Sequence, residues 1–169
     1  YAAAGNVIAA TDANGKTTTF EYDAMDRLLR ANMPGGGSER YTYNTDGQRA
    51  SVGDSRGIAT YGYDAVGRLA SLTSPDGTTV SYASDAKGNL ASITSAGGTL
   101  AYTYDAMNRL AKMTSPEGDS GYAYDRAGNR VRSPRPNSVI SDYTFDARNR
   151  PSQLVHRLGA TTLQSFATL

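Results

Sequence analysis

Six aspartates recur at one register of this 169-residue chain: Asp23, Asp64, Asp85, Asp105, Asp125 and Asp146. Carboxylates are hard oxygen ligands, so a periodic acidic column raises the question of calcium. The register argues against it, because it repeats every 20–21 residues. In a hairpin array that places neighbouring carboxylates about 10 Å apart across two strands, while one ion gathers roughly 6–8 oxygens at about 2.3–2.6 Å. A carboxylate can instead accept backbone N–H groups two residues on and open a turn, and these aspartates are assigned that role. The one histidine, His156, stands in LVHRLG with no partner motif for a nucleophile, so it reads as a surface or packing residue. One His and no Cys cannot supply the N/S donors of a zinc site. The PGGGS run from Pro34 lacks the Lys and Ser/Thr that follow a phosphate loop; it reads as a long hairpin turn. No catalytic residue, cofactor or metal is expected, and the chain is read as non-enzymatic.

A second column could recognise a ligand. Arg27, Arg68, Arg109 and Arg150 alternate with Asn6, Gln48, Asn89 and Asn129. One reading is a cross-strand polar ladder that pairs with the turn aspartates. The other is a carbohydrate-binding row, with tyrosine rings for stacking and Arg or Asn for hydroxyls. Both stay open on the sequence.

The elements that carry these columns follow from the repeat, which must be found before any fold is assigned. Eight units begin at Tyr1, Tyr22, Tyr43, Tyr63, Ser84, Tyr104, Tyr124 and Phe145. A second aromatic stands two residues before each later start: Phe20, Tyr41, Tyr61, Tyr82, Tyr102, Tyr122 and Tyr143. All 12 tyrosines lie on these two columns. A spacing of two is a strand period, so both rings face one side. The fifth position reads Gly5, Asp26, Gly47, Gly67, Gly88, Asn108, Gly128 and Asn149. Those are the residue types that tolerate positive φ, as the left-handed residue closing a short hairpin loop requires. A second strand follows, as in RLASLTS from Arg68, and then a Pro- or Gly-rich turn such as PDG from Pro75. Leu69 and Leu72, like Leu110 and Met113, are three apart; on a regular strand they would face opposite sides. Either both faces are covered or a bulge intervenes.

The predicted fold is therefore all-β: two antiparallel strands per repeat, roughly sixteen in all, about 75 Å wide at ~4.8 Å per strand. Open sheets that wide curl, so a curved strip is expected. The array is assigned to residues 1–150, and residues 151–169 to its degenerate continuation. Tyr1 enters in phase and neither end resembles a cap, which suggests an excerpt of a larger protein. Leu, Ile, Val and Phe number only 25, so tyrosine must supply much of the apolar surface. With 17 basic and 16 acidic residues, nothing draws the chain to nucleic acid or an anionic membrane. No apolar run reaches the ~20 residues of a membrane span.

The stretch YDAVGRLASLTSPDGTTVSYASDAKGNLASIT resembles the YD-repeat, or Rhs-repeat, family over about residues 1–150. The Tyr-Asp start, the Gly-Arg or Gly-Asn pair, the following Leu and the Pro-x-Gly turn carry the resemblance. The family includes bacterial Rhs polymorphic toxins, cocoon-forming components of insecticidal Tc toxins, and teneurins; the Ala-rich units here are most similar to the bacterial members. The resemblance implies a spiralling β-shell around a C-terminal toxin domain. The partners it implies are the rest of the shell, the enclosed toxin and a secretion apparatus, with glycans as a further candidate. It also implies secretion from, or display on, a bacterium. The DPxGL-type segment at which family members release the toxin by autoproteolysis is absent, so wall without cargo is expected.

Overall fold

The computed structural model describes residues 1–2 and 5–167. They fall into two units, residues 1–81 and 82–169. The first unit holds β1 (Ala9–Thr11), β2 (Thr17–Tyr22), β3 (Leu28–Asn32), β4 (Ser38–Tyr43), β5 (Arg49–Asp54), β6 (Gly57–Tyr63), β7 (Leu69–Thr73) and the start of β8 (Thr79–Ser84). The second holds β9 (Leu90–Ser95), β10 (Gly98–Tyr104), β11 (Leu110–Ser115), β12 (Gly118–Gly121), β13 (Ala123–Tyr124), β14 (Arg130–Pro134), β15 (Val139–Phe145), β16 (Pro151–Leu158) and β17 (Thr161–Ala167). Within each unit the pairs are antiparallel hairpins in chain order, and the ladder steps at Tyr122, between β12 and β13. No helix occurs among the described residues. The fold is all-β.

Each five-residue loop inside the heptapeptide, such as residues 64–68 between β6 and β7, is a tight turn closed by a left-handed residue. At the unit of Tyr63, the Gly67 N–H donates to the Asp64 carbonyl (2.9 Å) and the Asp64 N–H to the Arg68 carbonyl (2.8 Å). The fifth residue of every unit has positive φ, from 58° at Asn149 to 91° at Gly128. This is a type I turn followed by a left-handed residue, a hairpin connection whose twist suits the flanking strands.

The residue after the loop then bulges. Tyr63 stands opposite Leu69 while Gly62 stands opposite Ser71, which leaves Ala70 as the extra residue. The same shift recurs at Leu29, Ala50, Ala111, Val131 and Ser152. A bulge restores the face: Leu69 pairs with Tyr63 and Leu72 with Tyr61, so both leucines lie on the tyrosine side. The opposite side carries hydroxyl pairs, among them Thr73 with Thr79 at 2.9 Å and Thr94 with Thr99 at 3.0 Å.

The ladder is also sheared. Thr60 of β6 stands opposite Thr73 of β7, which stands opposite Thr79 of β8. Relative to their own repeats, Thr60 and Thr79 differ by two residues, and Arg40 with Ile58, through Gly53, repeat that offset. Two residues at ~3.4 Å against two strand spacings of ~4.8 Å tilts the strands by about 35° from the normal to the row of turns.

Little is fully buried. Among the described residues Ala31 (5% exposed) and Val155 (8%) are the buried apolar ones, and the eleven tyrosines other than exposed Tyr1 are half-buried. The fold therefore rests on ladders and neighbour contacts rather than on a dry core. Gly128, with φ of 91° and open space where a Cβ would stand, isolates the backbone constraint. Gly128→Val is expected to lower stability by about 1 kcal/mol or more, and Gly128→Asn by clearly less; urea melts of the two variants check the order.

Candidate functional site

The sequence columns meet in two rows, one along the turns and one along the strands. In the turn row each aspartate is divided between two tasks. Asp64 Oδ1 accepts the N–H of Val66 (3.0 Å) and of Arg68 (2.9 Å), and Oδ2 accepts Arg68 Nε at 2.7 Å. Asp23, Asp105 and Asp146 do the same with Arg27, Arg109 and Arg150. Where the sixth residue is Asn, its amide replaces the guanidinium: Asn89 and Asn129 reach Asp85 and Asp125 at 2.9 Å each. Asn44 holds its turn the same way, accepting the Asp46 and Gln48 N–H groups. The arginine partner is thus the aspartate of its own turn rather than a residue on the neighbouring strand.

These bonds favour the charged carboxylate. The pKa values of Asp23, Asp64, Asp105 and Asp146 are lowered, chiefly by the backbone N–H of the arginine four residues on. Those of Asp85 and Asp125 are lowered chiefly by the asparagine side chain.

The sixth residue also reaches the next repeat. Asn6 donates to Asp26 (2.7 Å), Gln48 to the Gly67 carbonyl (2.6 Å), Asn89 to Asn108 (2.6 Å) and Asn129 to Asn149 (3.0 Å). The alternate arginines stack instead: Arg27 lies over Tyr43 at 4.6 Å and Arg109 over Tyr124 at 4.4 Å. One column therefore locks its own turn and grips its neighbour.

The strand row is built by the start-column tyrosines. Tyr22, Tyr43, Tyr63, Tyr104 and Tyr124 each donate a phenolic O–H to the backbone of the preceding repeat, at Val7, Leu28, Arg49, Leu90 and Leu110, over 2.8–3.0 Å. The acceptor is always the seventh residue of the preceding unit, beside the bulge. Ser84 and Phe145 have no phenol to offer. The second column, Tyr41, Tyr61, Tyr82, Tyr102, Tyr122 and Tyr143, lies on the same face, half-buried. At the far edge a proline packs on a glycine of the turn before it. A Cβ on Gly57 would stand 2.7 Å from Pro75 Cβ, so no larger residue fits there. Sequence reasoning missed both neighbour grips. Their signal was the phase relation between columns of adjacent units, which periodicity alone does not interpret.

His156 Nδ1 lies 2.9 Å from the hydroxyl of Ser141, which has no exposed surface. Among the described residues no cluster of His, Cys, Asp or Glu could hold a metal ion.

An open antiparallel sheet of register-locked hairpins, most of them gripping the next, defines a β-repeat wall. The profile described as RHS Repeat matches residues 1–38, 43–79 and 85–120, and the chain belongs to that family. No curated protein matches it. Among solved structures, the chain is similar to a crystal structure of TcdB2-TccC3-Cdc42 (TM-score 0.70, 16% identity, 89% of this chain and 9% of that one). It is also similar to a Tc holotoxin pore of Photorhabdus luminescens bearing a TccC3 mutation (TM-score 0.71, 16% identity, 90% and 9%). The chain spans about one-tenth of the length of those proteins.

Two outcomes follow from the rows. A carboxyl whose folded pKa is lowered contributes stability above its ordinary value of about 3.9 and loses it as pH falls through the lowered one. The melting temperature should therefore hold from pH 7 to about 5 and drop below about pH 4; replacing Asp23, Asp64, Asp105 and Asp146 together by Asn should flatten that drop. Tyr104→Phe should cost about 0.5–1.5 kcal/mol, the net worth of one hydrogen bond, whereas Phe145→Tyr should cost nothing or stabilise; denaturant melts separate the two.

Proposed function

We propose that the chain is a non-enzymatic stretch of shell wall, one part of a larger protein that encloses and helps deliver a toxic C-terminal domain. The constant shear of two residues per repeat carries this reading. A step repeated from hairpin to hairpin is what a coiling wall requires, and further repeats would extend it. Membership of the RHS repeat family and likeness to Tc toxin assemblies that contain TccC3 support it. The partners in this reading are the remaining repeats, the enclosed domain and an export apparatus. The place of action is outside a bacterial cell or on its surface, in antagonism toward other bacteria or a host. No helix among the described residues is long and apolar enough to cross a membrane. The tyrosine hydroxyls that a glycan site would offer are committed to backbone carbonyls in five repeats, which favours wall over lectin.

The test is protease protection of the protein encoded by the whole reading frame. A domain enclosed by this wall should resist trypsin until the wall is opened by acid or denaturant. Digestion of every part at the rate of an unfolded chain, under conditions where the repeats stay folded, would contradict enclosure.

A further inference from the structure

The repeats act as controls for one another, and one of them departs from the pattern. At the seventh and tenth positions most units carry apolar residues on the tyrosine face: Leu69 and Leu72, Leu90 and Ile93, Leu110 and Met113. The unit of Tyr124 carries Arg130 and Ser133 there. Four residues before its start, where other units have Ala59, Val80 or Leu100, it carries Ser120. These three substitutions converge. Ser120, Ser133 and Arg130 line one groove of about 410 Å³ together with Tyr122, Arg135 and Asn137.

The groups in the groove are cationic or hydrogen-bonding and lack an acid. Arg130 lies between two rings, 6.0 Å from the centroid of Tyr122 and 5.2 Å from that of Tyr143, and its Nη2 is 3.3 Å from the Tyr143 hydroxyl. Neither it nor Arg135 has an ion pair among the described residues. The nearby acids are taken: Asp119 by Lys112 at 2.6 Å, and Asp142 by Arg132 and Arg157. Ser120 and Ser133 are each only 8% exposed. Among the described residues neither hydroxyl has a side-chain hydrogen-bond partner. The equivalent serine of the next repeat, Ser141, has His156.

One other repeat shows what such a groove lacks. In the unit of Tyr43 the seventh residue is Arg49, stacked 5.1 Å from the ring of Tyr41. The position of Ser120 is there occupied by Glu39, on the same face and opposite the tenth residue of the preceding unit, Ala31, as Ser120 stands opposite Met113. Glu39 accepts the Tyr41 hydroxyl and pushes that phenol up to about 12. That repeat holds its own carboxylate on the hydroxyl of the tyrosine its arginine stacks on; the repeat of Tyr124 has the arginine and a smaller neutral residue in the acid's place.

We infer that the groove between Ser120, Arg130 and Ser133 binds a carboxylate from outside its own repeat, from an acidic side chain of a polypeptide or from a free small acid. The ligand's oxygens take the place that Glu39 fills in the earlier repeat. Arg130 donates its fork, held flat by the two tyrosine rings; the serine hydroxyls donate from below; and Arg135 closes the exposed rim from the β14–β15 turn.

NMR of the chain with labelled arginine side chains tests this. Three probes are titrated: acetyl-Ala-Glu-Ala-amide, its Gln counterpart, and sodium glutarate. The Arg130 and Arg135 Nε–H signals should shift saturably with the Glu peptide or with glutarate and stay still with the Gln peptide. Saturation by the peptide alone assigns the site to acidic polypeptide, and by glutarate alone to a free acid. Arg130→Gln should weaken binding about ten- to hundred-fold, the worth of a charged hydrogen bond. Ser120→Glu, which restores the internal acid, should abolish binding while leaving the melting temperature unchanged or higher. Arg135→Gln, on an exposed turn, should weaken binding without touching the fold. An equal response to the Gln peptide, absence of saturation with both acids, or binding untouched by all three substitutions overturns the inference.

Discussion

One side-chain acceptor oxygen, on the second residue of seven of the eight repeats, organises this molecule. It accepts two backbone N–H groups that the turn would otherwise leave to water, and so fixes the loop. The left-handed fifth residue then aims the chain back, and the bulge after the loop turns the next apolar residue onto the tyrosine face. Strand register, the common face and the shear follow from that local geometry. Its recurrence with an asparagine at position 44 shows that the acceptor oxygen, rather than the charge, holds the turn; at Ala2 the same backbone turn closes without it. The charge is used by the sixth residue, which an aspartate can hold as arginine or asparagine.

An open sheet with two wet faces cannot rely on a buried core, and a single hairpin alone is marginal in water. The chain compensates by joining most neighbouring repeats through one or more of three grips at different heights. The sixth residue grips along the turn edge, the phenol beside the bulge grips in the middle, and the proline on glycine grips at the far edge. Each grip is individually small, on the order of 0.5–1.5 kcal/mol for a hydrogen bond and about 0.5–1 kcal/mol for an exposed cation–π contact. Because all connect sequence neighbours, they add along the array, as expected for a quasi-one-dimensional protein.

Much of this was legible in the sequence because the constraints are local. Positive φ admits few residue types, so the fifth column announced its turn. An i, i+2 aromatic pair announces a strand face. The relation of Leu69 to Leu72 was left open between a bulge and two covered faces. Hairpin register decided for the bulge, and register depends on the partner strand, which a single repeat does not display. The arginine column was left open between a polar ladder pairing with the turn aspartates and a carbohydrate-binding row; the arginine's partner is the aspartate of its own turn, which a side chain four residues on can reach only because the loop curls. The carboxylate groove was invisible for a different reason. Ser120 and Ser133 are unremarkable letters until superposed on the apolar residues of the other repeats.

The central claim is that the repeat, with its turn lock and three grips, is the unit of folding. Excising one whole repeat tests it most directly. Removing residues 43–62 joins Thr42 to Tyr63 and leaves the heptapeptide from Tyr63 in phase with the unit of Tyr22. The shortened chain should keep its strand circular dichroism and melt cooperatively, because Tyr63 can grip Leu28 as Tyr43 does. Removing only residues 53–62, about half a repeat, should instead unfold it. If the in-phase deletion unfolds, or both deletions are equally tolerated, the repeat is not the unit and the account fails.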